Sequence, residues 1–582
     1  MARPLRAWRA GAAIAAMVCA TQARTLMESR FSVIVDAGST GSRVYVYEKL
    51  SDVDMAGSRG AKHGPGLAQL VGSSREALAA YLRPLVDFAA DRVPEAEWTR
   101  TPLRLYATAG MRLADAAAAR RLYDDCFAVL SGGAFTVDRR DLRTISGEDE
   151  AFFAGLAANY AMGTVDASRK FQERQSFDLV FGALDLGGAS TQIAAPIRSN
   201  RRAATAPLEA VDFETRTYLG YGIEAVAAKY DAFLESLDAR LGPEAVADPC
   251  APRGHRRPLP ARGATAEGAG DFRACADSIA TALGFGDCHR ERRKRREAPD
   301  RESARKYALQ TCGLPADAKA GGAELPPLAL EPGARYVATS LYYYAWRTLQ
   351  TALPRAADVA ERAGADDGAQ AWVAGAAPRA AFEPFRKQWP APSLDAAAAA
   401  SEALCAAPGS LIQVVAGLDG PWDAFQGDAD RRRRELPRRC FELAYASLLL
   451  GDVYGVDPAA NAVAVAVDVH GVELDWTLGA VLGAPASRTP PPRRPPPRAT
   501  KARPDATTLP TAADDVLDGA VPRSGALLAL VVVLAVLGIF LAYTAPGGRP
   551  RANSRSRNPS PFPRRPSRNR FASSLGVEKC EP

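Results

Sequence analysis

The sequence predicts an α/β protein built as two lobes around a central cleft, and three observations carry that prediction. A short apolar strand ending in an aspartate and a glycine-rich turn occurs twice. The chain has 582 residues, enough for two lobes with full cores plus appendages. At 47% apolar and 24% charged residues it has a globular composition, which confines disorder to particular segments.

The first copy begins at Phe31 to Val35 (FSVIV), is closed by Asp36, and continues through Ala37-Gly38-Ser39-Thr40-Gly41-Ser42-Arg43 into Val44 to Tyr47. Small residues after the aspartate let backbone N–H groups approach an anion closely, as glycine-rich turns do around phosphate. A Gly-Ser hairpin alone would be ordinary. The second copy, LVFGALDLGGASTQI at 179 to 193, repeats the pattern with Asp185 followed by Gly187, Gly188, Ala189, Ser190, Thr191 and Gln192. A duplicated strand-Asp-Gly-turn-strand unit marks the actin-like, ribonuclease-H-type architecture, in which each lobe supplies one loop to a cleft that grips phosphates from both sides. The expected organisation places the first lobe at 31–160, the second at 161–463 and a return to the first at 464–483. The two aspartates are expected to face one divalent cation through its waters, because Mg²⁺ keeps much of its hydration.

Charge and cysteines set the compartment. The formal net charge of +7 belongs to the ends of the chain, and residues 31–483 carry −7. The main basic clusters inside the body, Arg290 to Arg296 and Arg431 to Arg434, fall in loop-like stretches, so no nucleic-acid-binding face is expected. Pro258 to Gly270 and Arg290 to Arg305 read as exposed insertions, and Ala356 to Ala371 as an Ala-rich surface helix. The four histidines, His63, His255, His289 and His470, lack metal-ligand spacing. Six cysteines (Cys250, Cys275, Cys288, Cys312, Cys405, Cys440) lie at open spacing without a C-x-x-C pair, which suits disulfides in an oxidising lumen. Cys19, Cys126 and Cys580 are left over, Cys126 as a plain buried thiol.

The ends complete this reading. Arg3, Arg6 and Arg9 precede a ten-residue apolar stretch, Gly11 to Ala20, the form of a signal peptide or short anchor over 1–23. Ala526 to Tyr543 runs eighteen residues without a charge, enough to cross a bilayer as one transmembrane helix. A Pro/Arg-rich stalk (484–524) precedes it and a basic tail (544–582) follows, so the positive-inside rule puts the tail in the cytosol and the body in the lumen or outside the cell, as a type I membrane protein.

Between and after the two loops stand LYATAGMR (105–112), ISGEDEAFF (145–153) and DWTLG (475–479). With DAGSTGSR and ALDLGGASTQI they resemble, in order, the five apyrase-conserved regions of the nucleoside triphosphate diphosphohydrolase (apyrase) family. GPGLAQL (64–70), YLGYGIEA (218–225), YVATSLYYYAW (336–346) and CFELAY (440–445) are further matches. The resemblance implies hydrolysis of terminal phosphates from nucleoside tri- or diphosphates with Ca²⁺ or Mg²⁺ and without a phosphoenzyme. It implies Glu150 as the base that activates water, with Glu148 and Asp149 the competing acids of its triplet. Ser190 and Gln192 would orient the nucleophile, and Thr108 would touch a metal-bound water alongside Asp36 and Asp185. Gly38, Ser39, Thr40, Gly41, Ser42 and Arg43 would hold phosphate from the first loop, and Gly187 to Gln192 from the second. Trp476 would shape the metal site, Tyr343 or Tyr344 would stack on the base, and the disulfides would join Cys250 with Cys288, Cys275 with Cys312 and Cys405 with Cys440. Single-span members act in the Golgi or at the plasma membrane, and the short span fits the thinner Golgi membrane.

The third motif departs from the family, with Ala151 where Gly follows the glutamate and Gly155 where Trp is usual. ISGEDEAFFAG also resembles exopolyphosphatases and guanosine pentaphosphate phosphatases, the alternative enzyme class. The alternative outside catalysis is an inactive nucleotide-binding scaffold; against it, both aspartates, Thr108, Glu150, Ser190 and Gln192 are all present.

Overall fold

The computed structural model describes residues 29–483 apart from 52, 173–176, 198–205, 242–244, 261–262, 297–310, 316–329, 331–332, 363–365, 421, 423–428 and 470–471. The expected leader, stalk, membrane span and basic tail lie outside the described residues. Among the described residues no helix is long and apolar enough to cross a membrane.

Two five-stranded sheets repeat one topology. In the first, β1 (Phe31–Gly38), β2 (Gly41–Lys49), β3 (Met55–Arg59), β4 (Leu103–Ala107) and β5 (Leu142–Thr144) lie in the order β3-β2-β1-β4-β5. β1 pairs antiparallel with β2 and parallel with β4. The second sheet starts with β6 (Phe181–Leu186), β7 (Ser190–Pro196) and β8 (Phe213–Leu219). A small sheet of β9 (Val246–Asp248), β10 (Arg256–Pro258) and β11 (Thr265–Gly268) follows, and β12 (Arg335–Ala338) and β13 (Val463–Val465) return to complete the order β13-β12-β6-β7-β8. Here β6 pairs antiparallel with β7 and parallel with β12, as β1 does with β2 and β4.

Side-chain alternation along a strand sends successive residues to opposite faces. On β1, Val33, Val35 and Ala37 enter an outer core with the helices Arg75–Ala90 and Ala116–Leu130, while Ile34 enters a core between the sheets. On β6, Leu184 and Leu186 join the core of the second sheet's far side, while Phe181 and Ala183 join that same inter-sheet core. Asp36 and Asp185 share the parity of Ile34 and Ala183, so both carboxylates lie on the inner faces. Two helices, Gly147–Ala161 and Trp476–Leu482, fill the space between. They approach so closely that a Cβ on Gly479 would stand 1.8 Å from the Phe153 carbonyl oxygen.

Several expectations require correction. Arg290 to Arg296 lie on the helix Gly286–Arg296, where Arg292 is buried and donates to Asp452 and the Gly451 carbonyl. Arg431 to Arg434 lie on the helix Ala429–Glu435, with Arg432 buried against the Ala416 and Leu418 carbonyls and over Trp422. Arginine is a good helix former, and a run of it on a helix places single members over buried acceptors. Ala356, Ala357 and Ala360 end a buried helix, Leu341–Ala360, because small side chains let it pack closely, and Asp366 caps a separate helix from Asp367. The stretch from Pro258 to Gly270 contributes β11 and the buried Leu259 and Ala266.

The disulfides are Cys250–Cys275, Cys288–Cys312 and Cys405–Cys440, so only the third follows the family-derived pairing. The turn after β9 lies against the cap of the helix Phe272–Ala282, which follows β11, with the Asp271 amide donating to the Pro249 carbonyl at 3.0 Å. This holds Cys250 and Cys275 at a Cα separation of 4.7 Å, leaving Cys288 on the next helix to meet Cys312. Cys126 is free and buried, and burial pushes its thiol up to about 12.

Candidate active site

The two loops meet. Gly38 pairs with Gly41, leaving Ser39 and Thr40 as the tip of a tight hairpin. A Cβ on Gly188, in the second loop, would lie 2.8 Å from Ser39 Oγ, which places the two loops side by side. The second loop is held from behind by the helix Ile223–Leu241. The amides of Ile223 and Glu224 donate to the carbonyls of Gly187 and Gly188, each at 2.9 Å, and Gly222 packs within 2.4 Å, at its Cβ position, of the Ala189 and Ser190 nitrogens. These bonds use the orphan N–H groups of a helix start to fix a loop.

Four acids converge below the loops. Asp36 and Asp185 come from the ends of β1 and β6, Glu150 from the first turn of the helix Gly147–Ala161, and Asp475 caps the helix Trp476–Leu482. Ser146 caps the Glu150 helix by accepting from the Asp149 amide at 2.9 Å. Of the triplet, Glu148 is exposed and Asp149 half-buried, whereas Glu150 is 6% exposed and points inward. Its Oε2 accepts from Arg112 Nη2 at 2.5 Å and from Gln192 Nε2 at 3.2 Å. Arg112 is itself aimed by a bond from Nε to the Ile145 carbonyl at 3.0 Å. Gln192 Nε2 also lies 2.5 Å from Ser190 Oγ, so Glu150, Gln192 and Ser190 form one buried polar chain. Asp475 accepts from the Tyr45 hydroxyl at 2.7 Å and from the Thr477 amide at 2.8 Å.

Burial of like charges governs the electrostatics. Asp36 is held well above the usual carboxylate range, by burial first and then by Asp475 and Glu150, with Arg43 opposing. Asp185 is pushed up to about 7 by burial and Glu150, against hydrogen bonds from Ser340 and Thr339. Glu150 is raised by burial, and Arg112 opposes it. Ser340 adopts φ 54°, a left-handed conformation unfavourable for serine, immediately before the helix that follows β12. Its hydroxyl serves Asp185 there.

One oxygen of each aspartate, Asp36 Oδ1 and Asp185 Oδ1, is buried without a hydrogen-bond partner among the described residues. An anionic oxygen in that position is costly without a cation or ordered water. Among the described residues no three or more His, Cys, Asp or Glu are grouped to hold an ion directly. The residues present therefore fit a hydrated divalent cation held through its waters.

Other expected residues take distinct places. Thr108 is buried at the end of β4, its amide bonded to the Ala37 carbonyl at 3.2 Å and its hydroxyl not used as a helix cap. The Ser42 hydroxyl faces the outer core, 2.8 Å from the Tyr81 hydroxyl, and the Ser42 amide donates to the His63 carbonyl, so Ser42 supports the loop. Thr191 likewise turns away, its hydroxyl donating to the Asp185 carbonyl at 2.7 Å beside Tyr454. Arg43 pairs across the ladder with Asp36. Trp476 is buried beside the Tyr106 ring at 6.4 Å between centroids. Tyr343 packs on Trp389 in the second-sheet core, while Tyr344 is half-buried and its hydroxyl meets Arg59 of the first sheet. A cavity of about 650 Å³ beside the second loop is lined by Glu224, Arg434, Arg438, Asp248 and Arg257, and by none of the four acids. Sequence reasoning passed over Asp475, Arg112 and Ser340, although each lies inside a motif it singled out.

Fold and site together define an α/β protein with two sheets of one topology, two opposed glycine-rich loops and a buried acidic centre. Residues 23–294 match the model of the GDA1/CD39 (nucleoside phosphatase) family. It is 28% identical to the Golgi apyrase of Saccharomyces cerevisiae over 43% of this chain and 47% of that protein. It is 24% identical to Probable apyrase 6 of Arabidopsis thaliana over 79% of this chain and 73% of that one. The chain thus spans about half the length of the yeast relative it matches. A solved nucleoside triphosphate hydrolase structure from Neospora caninum aligns with 81% of this chain and 96% of its own at 15% identity and a TM-score of 0.46.

Proposed function

We propose that this chain is a membrane-anchored apyrase that hydrolyses nucleoside tri- and/or diphosphates to lower phosphates and inorganic phosphate by in-line attack of water. The observation that carries the reading is the buried chain Glu150, Gln192 and Ser190 set beneath two opposed phosphate loops and beside Asp36 and Asp185. The duplicated sheet order supports an actin-like, ribonuclease-H-type cleft between the lobes.

In this reading the first loop, Gly38 to Gly41, and the amides of Gly188 and Ala189 grip the phosphates, with Arg43 adding charge. Gln192 and Ser190 hold the attacking water, and Glu150 accepts its proton. A carboxylate lifted toward neutrality by burial is better matched to that transfer than an ordinary one, and positioned base catalysis contributes roughly 10²- to 10⁴-fold. Water attack on a phosphoryl group needs positioning and charge neutralisation and no protein nucleophile. Asp36, Asp185 and Thr108 would hold Ca²⁺ or Mg²⁺ through water, and the bound ion would supply charge neutralisation on the phosphate oxygens. Trp476 shapes the floor of this region, and Tyr344 stacks on the nucleobase. The expected membrane span at Ala526 to Tyr543 and the cysteine pairs support a lumenal body, in this reading in the Golgi, with the plasma membrane as the alternative.

Phosphate release by the full-length protein from ATP, ADP, UDP, GDP and polyphosphate, with Ca²⁺ or Mg²⁺ against EDTA, tests the reading beside Glu150→Gln. The expected result is metal-dependent release from nucleotides that falls at least roughly 100-fold in the variant. Release from polyphosphate alone, or no release with nucleotide still bound, would refute it.

A further inference from the structure

A nucleotide brings several negative charges to a cleft whose buried groups are mostly acids. Two cations stand among those acids: Arg43 lies opposite Asp36 in the ladder, and Arg112 is paired with Glu150. A third cation, Lys62, comes from a segment with no regular structure of its own, between β3 and the turn Leu67–Leu70.

That segment is fastened over the first phosphate loop. The Ser42 amide donates to the His63 carbonyl at 2.7 Å, and the His63 amide returns a bond to the Ser42 carbonyl at 2.8 Å. The Tyr81 hydroxyl sits 2.8 Å from Ser42 Oγ and 2.6 Å from the Pro65 carbonyl, tying both pieces to the outer helix. Gly66 is pressed against the Ser39 carbonyl, where a Cβ would stand at 2.1 Å. From this anchored backbone the Lys62 stem crosses Gly41, its Cε 2.9 Å from the Cβ position there, and Nζ donates to Thr40 Oγ1 at 2.5 Å. The stem is packed against Gly41 while the residue as a whole stays exposed, so its charge reaches the mouth of the loop.

The surroundings explain what it would take up. Burial first, then Arg43 and Arg431, push the Lys62 ammonium below its usual value, while Asp36 and Glu224 oppose. Arg431 and Glu224 belong to the second-sheet side, so Lys62 feels charge from both halves of the cleft. Two cations and two acids act on it, and among the described residues its hydrogen-bond acceptor is a neutral hydroxyl. An anion in the loop would replace that weak bond with a charge-assisted one and screen the repulsion.

We propose that Lys62 is a substrate-phosphate ligand that exchanges its bond to Thr40 for a phosphate oxygen when nucleotide enters. The inference rests on the nucleotide-hydrolase reading above. It adds a contact from outside both glycine-rich loops.

Binding separates this contact from chemistry. Full-length Glu150→Gln protein is titrated with Mg²⁺ and a non-hydrolysable ATP analogue by calorimetry, alone and combined with Lys62→Gln or Lys62→Arg. Glutamine keeps an N–H donor for Thr40 but removes the charge. The expected result is a Kd raised roughly 10-fold or more by Lys62→Gln with a shallower salt dependence, and restored to within about 3-fold by Lys62→Arg. With Glu150 intact, Lys62→Gln is expected to raise KM by the same factor and hold kcat within about 3-fold. A Lys62→Gln Kd within about twofold of its parent, with the same salt slope, overturns the inference and leaves the hydrolase reading standing. Failure of the Glu150→Gln protein itself to bind the analogue overturns both.

Discussion

Asp185 makes the metal-free protein unstable at alkaline pH in a way that can be worked out from the site. Its carboxyl titrates at about 7 in the fold against 3.8 for an unperturbed aspartate. Between those values the folded state holds a proton that the unfolded state has lost, so stability falls as pH rises through this window and is lowest above pH 7. At 1.36 kcal/mol per pH unit the full effect is on the order of 4 kcal/mol. Asp36 and Glu150 are raised in the same direction and add to it. Asp185→Asn removes the charge while keeping the shape. In EDTA the variant is expected to melt several degrees above the parent at pH 8 and only slightly above it near pH 4.5, although its hydrolysis is lost. Mg²⁺ is expected to raise the parent's melting temperature more at pH 8 than at pH 5.5, because binding favours the ionised carboxylates. Calorimetric melts of both proteins across pH 4.5 to 8.5 provide the assay. A parent-minus-variant difference that stays flat with pH, or a variant that melts below the parent at pH 8, would show that Asp185 is not an uncompensated buried acid.

The two aspartates were legible because each ends an apolar strand before glycines, and strand alternation then puts both on inner faces beside Ile34 and Ala183. Glu150 was legible only as one of three acids. The fold separates them, because the cap by Ser146 sets the helix phase and turns Glu150 alone onto Arg112 and Gln192. Asp475 was hidden for a different reason: its partner Tyr45 lies 430 residues away in the chain, and only the return of the helix Trp476–Leu482 to β2 brings them together. The arginine runs were misread as loops because charge density describes solvation and not the backbone. Arg292 and Arg432 find buried acceptors that composition does not reveal. The cysteine pairs show the same limit, since the return of the helix Phe272–Ala282 against the turn after β9 decides Cys250–Cys275.

Two further outcomes test the packing and the base. Gly479→Ala places a Cβ 1.8 Å from the Phe153 carbonyl oxygen, so the two central helices must separate; the expected loss is about 3 kcal/mol or more in denaturant melts, and a loss below about 1 kcal/mol would mean the helices part freely. Arg112→Met leaves Glu150 buried without the one cation that favours its ionised form. Its carboxyl then rises further, and the base must be regained by raising the pH. The acid limb of the kcat/KM profile is expected to move to higher pH, with activity reduced roughly 100-fold at pH 6 and less at pH 8.5. Arg112→Lys retains the charge but not the second bond to the Ile145 carbonyl, so its limb is expected between those of parent and Arg112→Met. An acid limb that stays in place while activity falls equally at every pH would mean that Arg112 only shapes the loop around Thr108, and that the proton is taken elsewhere than at Glu150.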